Sequence, residues 1–167
     1  MSLRILPSVL TMGNLVFGIM SIVYVMSEEY PLAGVMIILS MILDVMDGKI
    51  ARKLDVASSF GKELDSLADV VSFGVAPAIL LYAQVLSGYQ WIGLGVIIWF
   101  AVAGALRLAR FNVQTTTGYY QGVPITAAGS IVALLSFISD LIPPMIFLIL
   151  AAVLGCLMIS KIRVPKF

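Results

Sequence analysis

The sequence predicts an all-α integral membrane protein with six transmembrane helices and both termini on the cytoplasmic side. Three observations predict it. The 167 residues are 61% hydrophobic and only 11% charged, against roughly 25% charged in a soluble domain, and the mean hydropathy is +1.10. The apolar residues fall into runs that suit the bilayer, which takes about 20 residues per spanning helix. Six such runs put every Lys and Arg of the chain on one side.

The first run, residues 8–26, follows a single early Arg4. It is long enough to span, and no small-residue cleavage site follows it, so it reads as a span and not as a signal peptide. The second, 31–53, begins at Pro31, where a helix can do without an amide donor. The third covers 61–86 and the fourth 91–111, with "SGYQ" between them. The fifth, 120–139, and the sixth, 142–160, are divided only by "SDLIPP", where Pro143 and Pro144 mark a break. Arg4, Lys49, Arg52, Lys53, Lys62, Arg107, Arg110, Lys161, Arg163 and Lys166 then share one face, while Glu28, Glu29 and Asp140 lie opposite. By the positive-inside rule the basic face is cytoplasmic. No internal repeat interrupts the chain, so residues 1–167 read as one membrane domain.

Composition also excludes chemistry. A net charge of +1 argues against a nucleic-acid partner, and the absence of histidine removes the imidazole base and imidazole metal ligands. Cys156 stands alone in an apolar run, which offers no disulfide framework.

The informative stretch is "DVMDGKIARKLDVASSFGKELDSLAD", residues 44–69, which holds six of the nine acidic residues between two apolar segments. On a helix, Asp44 and Asp47 share a face with Gly48 and Ala51, and Arg52 lies at its edge. Gly61, Asp65 and Asp69 recur every four residues and form one stripe on the next helix. Two antiparallel helices can therefore point four carboxylates into one cavity near the cytoplasmic edge. Charged groups in a membrane cost about 2.5–3.5 kcal/mol each on insertion scales, and these four repel one another. Oxygen ligands without His or Cys suit hard divalent cations such as Mg²⁺, Mn²⁺ or Ca²⁺. Two such ions would neutralise four carboxylates, and paired metals suit phosphoryl transfer. Gly48 and Ala51 leave a notch where a bulky ligand can approach the backbone, although small residues equally serve helix–helix packing. Asp55, Glu63 and the lysines read as solvent- or lipid-headgroup-facing.

Asp44-x2-Asp47-Gly48-x2-Ala51-Arg52-x8-Gly61-x3-Asp65-x3-Asp69 resembles, at every position, the motif of the CDP-alcohol phosphatidyltransferase family. The resemblance implies a six-helix membrane core, usually dimeric. An alcohol hydroxyl attacks the lipid-bearing phosphorus of a CDP-linked lipid and CMP leaves. By position, Asp44, Asp47, Asp65 and Asp69 would hold the metal ions, and Asp69 would also be the base. Gly48, Ala51, Arg52 and Gly61 would form the CDP site, with Ser58 as a contact. "PSVLTMGN" on the first helix adds Thr11 and Asn14, whose alternative is ordinary hydrogen bonding between helices.

"DSLADVVSFGVAPA", "ALRLARFN" and "GVPITAAG" look like the membrane-embedded phosphatidylserine synthases within that family. The resemblance makes CDP-diacylglycerol or CDP-archaeol the donor and L-serine the acceptor. Arg107 and Arg110, three apart, could grip the serine carboxylate as a fork, grip the diphosphate instead, or simply anchor the helix end; Asn112 is a further polar candidate nearby. Two other readings compete. The same fold could use glycerol 3-phosphate or inositol phosphate. A divalent-metal carrier would also need intramembrane carboxylates, but spread along a path and not confined to one end.

Overall fold

The computed structural model describes residues 6–54, 58–113, 120–160 and 163–164. Its regular structure is almost entirely helical, as expected. Helix α1 spans Leu6–Met26 and α2 spans Tyr30–Leu54. Only three residues join them, and their hydrogen bonds explain the tight reversal. Glu28 takes a left-handed conformation, φ 61°. Its amide donates to Val25 O at 3.0 Å, and the Glu29 amide donates to Tyr24 O at 2.9 Å. This is the Schellman ending that closes a helix and turns the chain back. The Glu29 carbonyl then accepts from the Ala33 amide, so α2 starts at once.

The faces of α1 are inverted relative to a water-soluble helix. Thr11, Asn14, Gly18, Ser21 and Val25 are buried at intervals of three and four. Val9, Met12, Val16, Ile19 and Val23 are exposed. In water the polar stripe would face out. Small and polar residues inside, with large apolar residues outside, is the pattern of helices packed in lipid. By length and composition, α1, α2 and the stretch Ser59–Val113 can cross a membrane.

That last stretch is 55 residues long, far more than a bilayer needs at 1.5 Å per residue. It is not one straight rod. Helix α3 (Ser59–Asp69) passes into a π-helical turn, π1 (Val70–Val75), then α4 (Ala76–Leu81), a second π turn (Tyr82–Leu86) and a 3-10 turn (Ser87–Tyr89) before α5 (Gln90–Val113). Gln90, at φ 45° and ψ −118°, breaks the run there, and α5 packs back against π1 and α4. Pro77 helps to explain π1. Proline has no amide, so the carbonyl of Phe73 four residues earlier loses its α-helical donor. The Ala76 amide instead reaches Val71 O, the longer π pairing.

The expected fifth span is shorter than its sequence window. Helix α6 covers only Ile125–Ser136, and α7 covers Pro144–Ile159. Residues 120–124 are not helical because Gly122 adopts φ 74° and Pro124 precedes the first turn. A two-residue antiparallel pair, β1 (Tyr120–Gln121) with β2 (Arg163–Val164), closes this end of the bundle. The core is centred on π1, α4 and the inner faces of α2, α5, α6 and α7, where Phe73, Phe100, Phe147, Ile37 and Leu80 are fully buried.

The packing of α6 on π1 is tight enough to test. A Cβ at Gly129 would lie 2.5 Å from Phe73 O and 2.8 Å from Phe73 Cα. Both are backbone atoms, which cannot swing away as a side chain can. Gly129→Ala is expected to destabilise the fold by about 1–3 kcal/mol, the usual cost of overpacking. A lowered thermal midpoint of the detergent-solubilised protein checks this; an unchanged midpoint would show that α6 can shift freely.

Candidate active site

The site is assembled at the end of the bundle where α2 ends and α3 begins. Asp44 and Asp47 come from α2 and Asp65 from α3. Their carboxylate oxygens lie within 4.8 Å of one another. Asp47 is only 5% exposed and Asp69 6%. The helical intervals of three and four place them so, because α2 and α3 both pack on α1 and turn these stripes toward it.

Helix α1 supplies the hydrogen bonds that hold the cluster. Thr11 Oγ1 lies 2.8 Å from Asp47 Oδ2 and 3.0 Å from the Pro7 carbonyl. A hydroxyl has one proton, and the carboxylate is the stronger acceptor. One turn further along α1, Asn14 Nδ2 donates to Asp69 Oδ1 at 3.2 Å. Thr11 and Asn14, read as nucleotide contacts, thus each bond an Asp of the motif. Asp69 stands outside the three-carboxylate group but within electrostatic reach of Asp44, Asp65 and Asp47.

The donor set fits a hard divalent cation. Asp65 Oδ1 is buried and has no hydrogen-bond partner among the described residues. Such an orphaned oxygen, inside a cluster of carboxylates, is costly without a positive group to meet it. Asp44, Asp47 and Asp65 offer oxygens alone, which suits Mg²⁺, Mn²⁺ or Ca²⁺.

The small residues of the motif behave differently from one another. A Cβ at Gly48 would meet nothing within 4 Å, so the helix surface is open there. Ala51 is half-buried. Arg52 folds back along its own helix, with Nε donating to Gly48 O at 3.0 Å. Ser58 is the N-cap of α3: its hydroxyl accepts from the Gly61 amide at 3.0 Å. Capping satisfies one of the donors a helix start leaves unpaired. A Cβ at Gly61 would lie 3.1 Å from that hydroxyl.

The two arginines of α5 also part company. Arg107 is buried. Arg110 Nη1 donates to Ile159 O at 3.0 Å, across to the end of α7. Basic side chains commonly satisfy the last carbonyls of a helix in this way. Asn112 Nδ2 donates to Ser66 Oγ at 2.9 Å and Glu63 Oε2 at 3.3 Å, tying the end of α5 to α3. Lys62 sits 5.4 Å from the Phe111 ring centroid, a second link between the same helices. Arg4, Asp55, Lys161 and Lys166 lie outside the described residues, as does the side chain of Arg163.

Sequence reasoning missed Ser40 and Ser72. Both are fully buried, and both donate to the carbonyl of Asn14, each at 3.0 Å. Their only signal was position: Ser40 is one turn before Asp44, and Ser72 is three residues after Asp69.

The bundle has lipid-compatible outer faces and an all-oxygen carboxylate cluster at one end, a donor set that fits a membrane-associated enzyme of phosphoryl-transfer type. The chain belongs to the CDP-alcohol phosphatidyltransferase family, whose model matches residues 4–159. It is similar to a CDP-diacylglycerol–serine O-phosphatidyltransferase of Methanocaldococcus jannaschii, 43% identical over 94% of this chain and 72% of that protein. Proteins of the same description from Helicobacter pylori and Bacillus subtilis are 38% and 37% identical. They cover 99% and 97% of this chain, and 73% and 90% of their own lengths.

Proposed function

We propose that this chain is a phosphatidylserine synthase. It transfers the phosphatidyl group of CDP-diacylglycerol, or of its ether-lipid counterpart CDP-archaeol, to the hydroxyl of L-serine. The observation that carries this reading is the Asp44–Asp47–Asp65 cluster with Asp69 beside it on α3, in a chain whose relatives are described as using serine. In the reaction the serine oxygen bonds to the lipid-bearing phosphorus, and the bond from that phosphorus to the oxygen of CMP breaks. The serine hydroxyl proton passes to Asp69.

Asp44, Asp47, Asp65 and Asp69 would hold two divalent cations, which would supply positive charge against the diphosphate and the departing CMP. The open surface at Gly48 receives the nucleotide, with Ala51, Arg52, Ser58 and Gly61 around it. Asn14 orients the Asp69 carboxylate through its 3.2 Å hydrogen bond, and Thr11 orients Asp47 in the same way. Arg107 and Arg110 are the candidates for the serine carboxylate or the diphosphate, and one Arg110 donor is bonded to the end of α7.

The chain acts as one domain with six spans, 59–113 supplying two of them through the break at Gln90. Both termini and the Asp cluster face the cytoplasm from the cell membrane, in keeping with the distribution of Lys and Arg. A homodimer is expected on the family resemblance, and the mass of the detergent-solubilised protein tests it.

The deciding assay gives purified protein CDP-diacylglycerol with Mg²⁺ or Mn²⁺ and follows CMP release. L-serine, glycerol 3-phosphate and inositol phosphate are offered separately. Release with serine alone is expected. Release only with a phosphorylated alcohol would overturn the acceptor assignment, and release with none would overturn the enzyme reading.

A further inference from the structure

We infer that Ser72, together with Ser40, is a positioning residue for the transfer reaction: the two hydroxyls fix the backbone of Asn14 so that its side-chain amide meets Asp69. The inference rests on the reading of Asp69 as the base. It starts from an unusual convergence. The Asn14 carbonyl accepts from Ser40 Oγ of α2 and from Ser72 Oγ of π1, each at 3.0 Å. Within α1 the ordinary partner of that carbonyl is the amide four residues on, at Gly18. Two further donors are not needed to satisfy it.

Nor is this what serines in helices usually do. Ser66 on α3 and Ser27 just past the end of α1 bond the carbonyl four residues back, the common local arrangement. Ser40 and Ser72 reach across to a third helix. Each comes from an Asp-bearing segment. Ser40 lies one turn from Asp44, and Ser72 one turn from Asp69. The latch therefore joins α1 to both halves of the site, immediately inside the carboxylates.

Two backbone features surround it. The π turn begins directly after Asp69, with Asp69 meeting the Asn14 side-chain amide and Ser72, three residues on, meeting its carbonyl. Gly18 clears the way, since a Cβ there would lie 2.9 Å from Ser72 Cα. With the Asn14 carbonyl held from two sides, its fully buried side chain has little freedom. The bond it makes to Asp69 is 3.2 Å, at the long end of the normal range, where a small displacement loses it.

Single-variant kinetics with a double-mutant cycle test this. Ser72→Ala is expected to lower kcat about tenfold, the lower end of what losing such a supporting hydrogen bond costs. KM for CDP-diacylglycerol and for serine should stay within about twofold, because Ser72 is fully buried and bonded to Asn14. Ser40→Ala should act in the same direction, and stands in if Ser72→Ala fails to fold. Asn14→Ala should lower kcat further, and adding Ser72→Ala to it should change little, since coupled residues are non-additive. Ser130→Ala is the control. It removes another buried hydroxyl, one 3.0 Å from Met41 Sδ with no link to Asn14, and should leave kcat unchanged. Wild-type kcat in both Ser72→Ala and Ser40→Ala would overturn the inference. So would effects of Ser72→Ala and Asn14→Ala that simply multiply, or an equal loss in the control. Asp69→Asn, run in parallel, separates the two layers. Inactive Asp69→Asn beside a wild-type Ser72→Ala overturns the positioning role alone, while an active Asp69→Asn overturns the base reading.

Discussion

Asp69→Asn is expected to lower turnover by about 10²–10⁴-fold, the range associated with losing a positioned general base, while the protein still binds CDP-diacylglycerol. The substitution keeps the volume and an oxygen that can accept from Asn14 Nδ2. It removes only the ability to take a proton and the negative charge. Packing around the fully buried Ala68 and Phe73 should not change, so the thermal midpoint should hold. The measurement is CMP release at saturating serine, alongside equilibrium binding of the CDP-lipid. Near-normal turnover would remove Asp69 as the base. Loss of both turnover and lipid binding would leave Asp69 its metal-holding role and remove the support for it as the base.

Stripping divalent cations with EDTA should abolish CMP release, and Mg²⁺ or Mn²⁺ should restore it. The physical reason lies in Asp65. Its Oδ1 is buried without a hydrogen-bond partner among the described residues, and its carboxylate shares a 4.8 Å cluster with Asp44 and Asp47. Asp65→Asn should consequently raise the Mg²⁺ concentration needed for half-maximal turnover, by about tenfold if one ligand is lost. A metal-free enzyme that keeps its activity would overturn this account, and so would an Asp65→Asn variant with an unchanged Mg²⁺ requirement.

How much of this was legible beforehand differs residue by residue. The carboxylate cluster could be read because helical geometry maps intervals of three and four onto one face, and because charge in an apolar chain has few innocent explanations. The α1–α2 hairpin was equally plain, although its closing by a left-handed Glu28 was not, since glutamate carries no sign of that conformation. Ser58, expected as a ligand contact, is also the N-cap of α3. Both roles call on the same hydroxyl at the same place in the chain. Arg110 could be assigned to a helix end but not to the α7 carbonyl it meets, because a long flexible side chain reaches many points. Ser40 and Ser72 were invisible for a different reason. A buried serine in an apolar helix normally bonds its own backbone, and only the packing of three segments shows otherwise. The short α6 was misjudged because apolar composition continues on both sides of it, while Gly122 and Pro124 stop the helix locally.

The π turn after Asp69 also bears on how such a chain can change over time. Its six residues, Val70–Val75, follow a looser winding than the α-helix on either side. Removing one residue would let α pairing resume, so the chain would still fold into a helix. Because a π turn winds by less per residue than the 100° of an α-helix, five α residues turn through nearly the same angle as the present six, and the helix faces on either side would keep their phase. What a deletion between Asp69 and Ser72 would change is the local spacing at which Ser72 meets the Asn14 carbonyl. A single-codon deletion there would leave the bundle able to form while removing that contact, a loss that stability alone would not reveal.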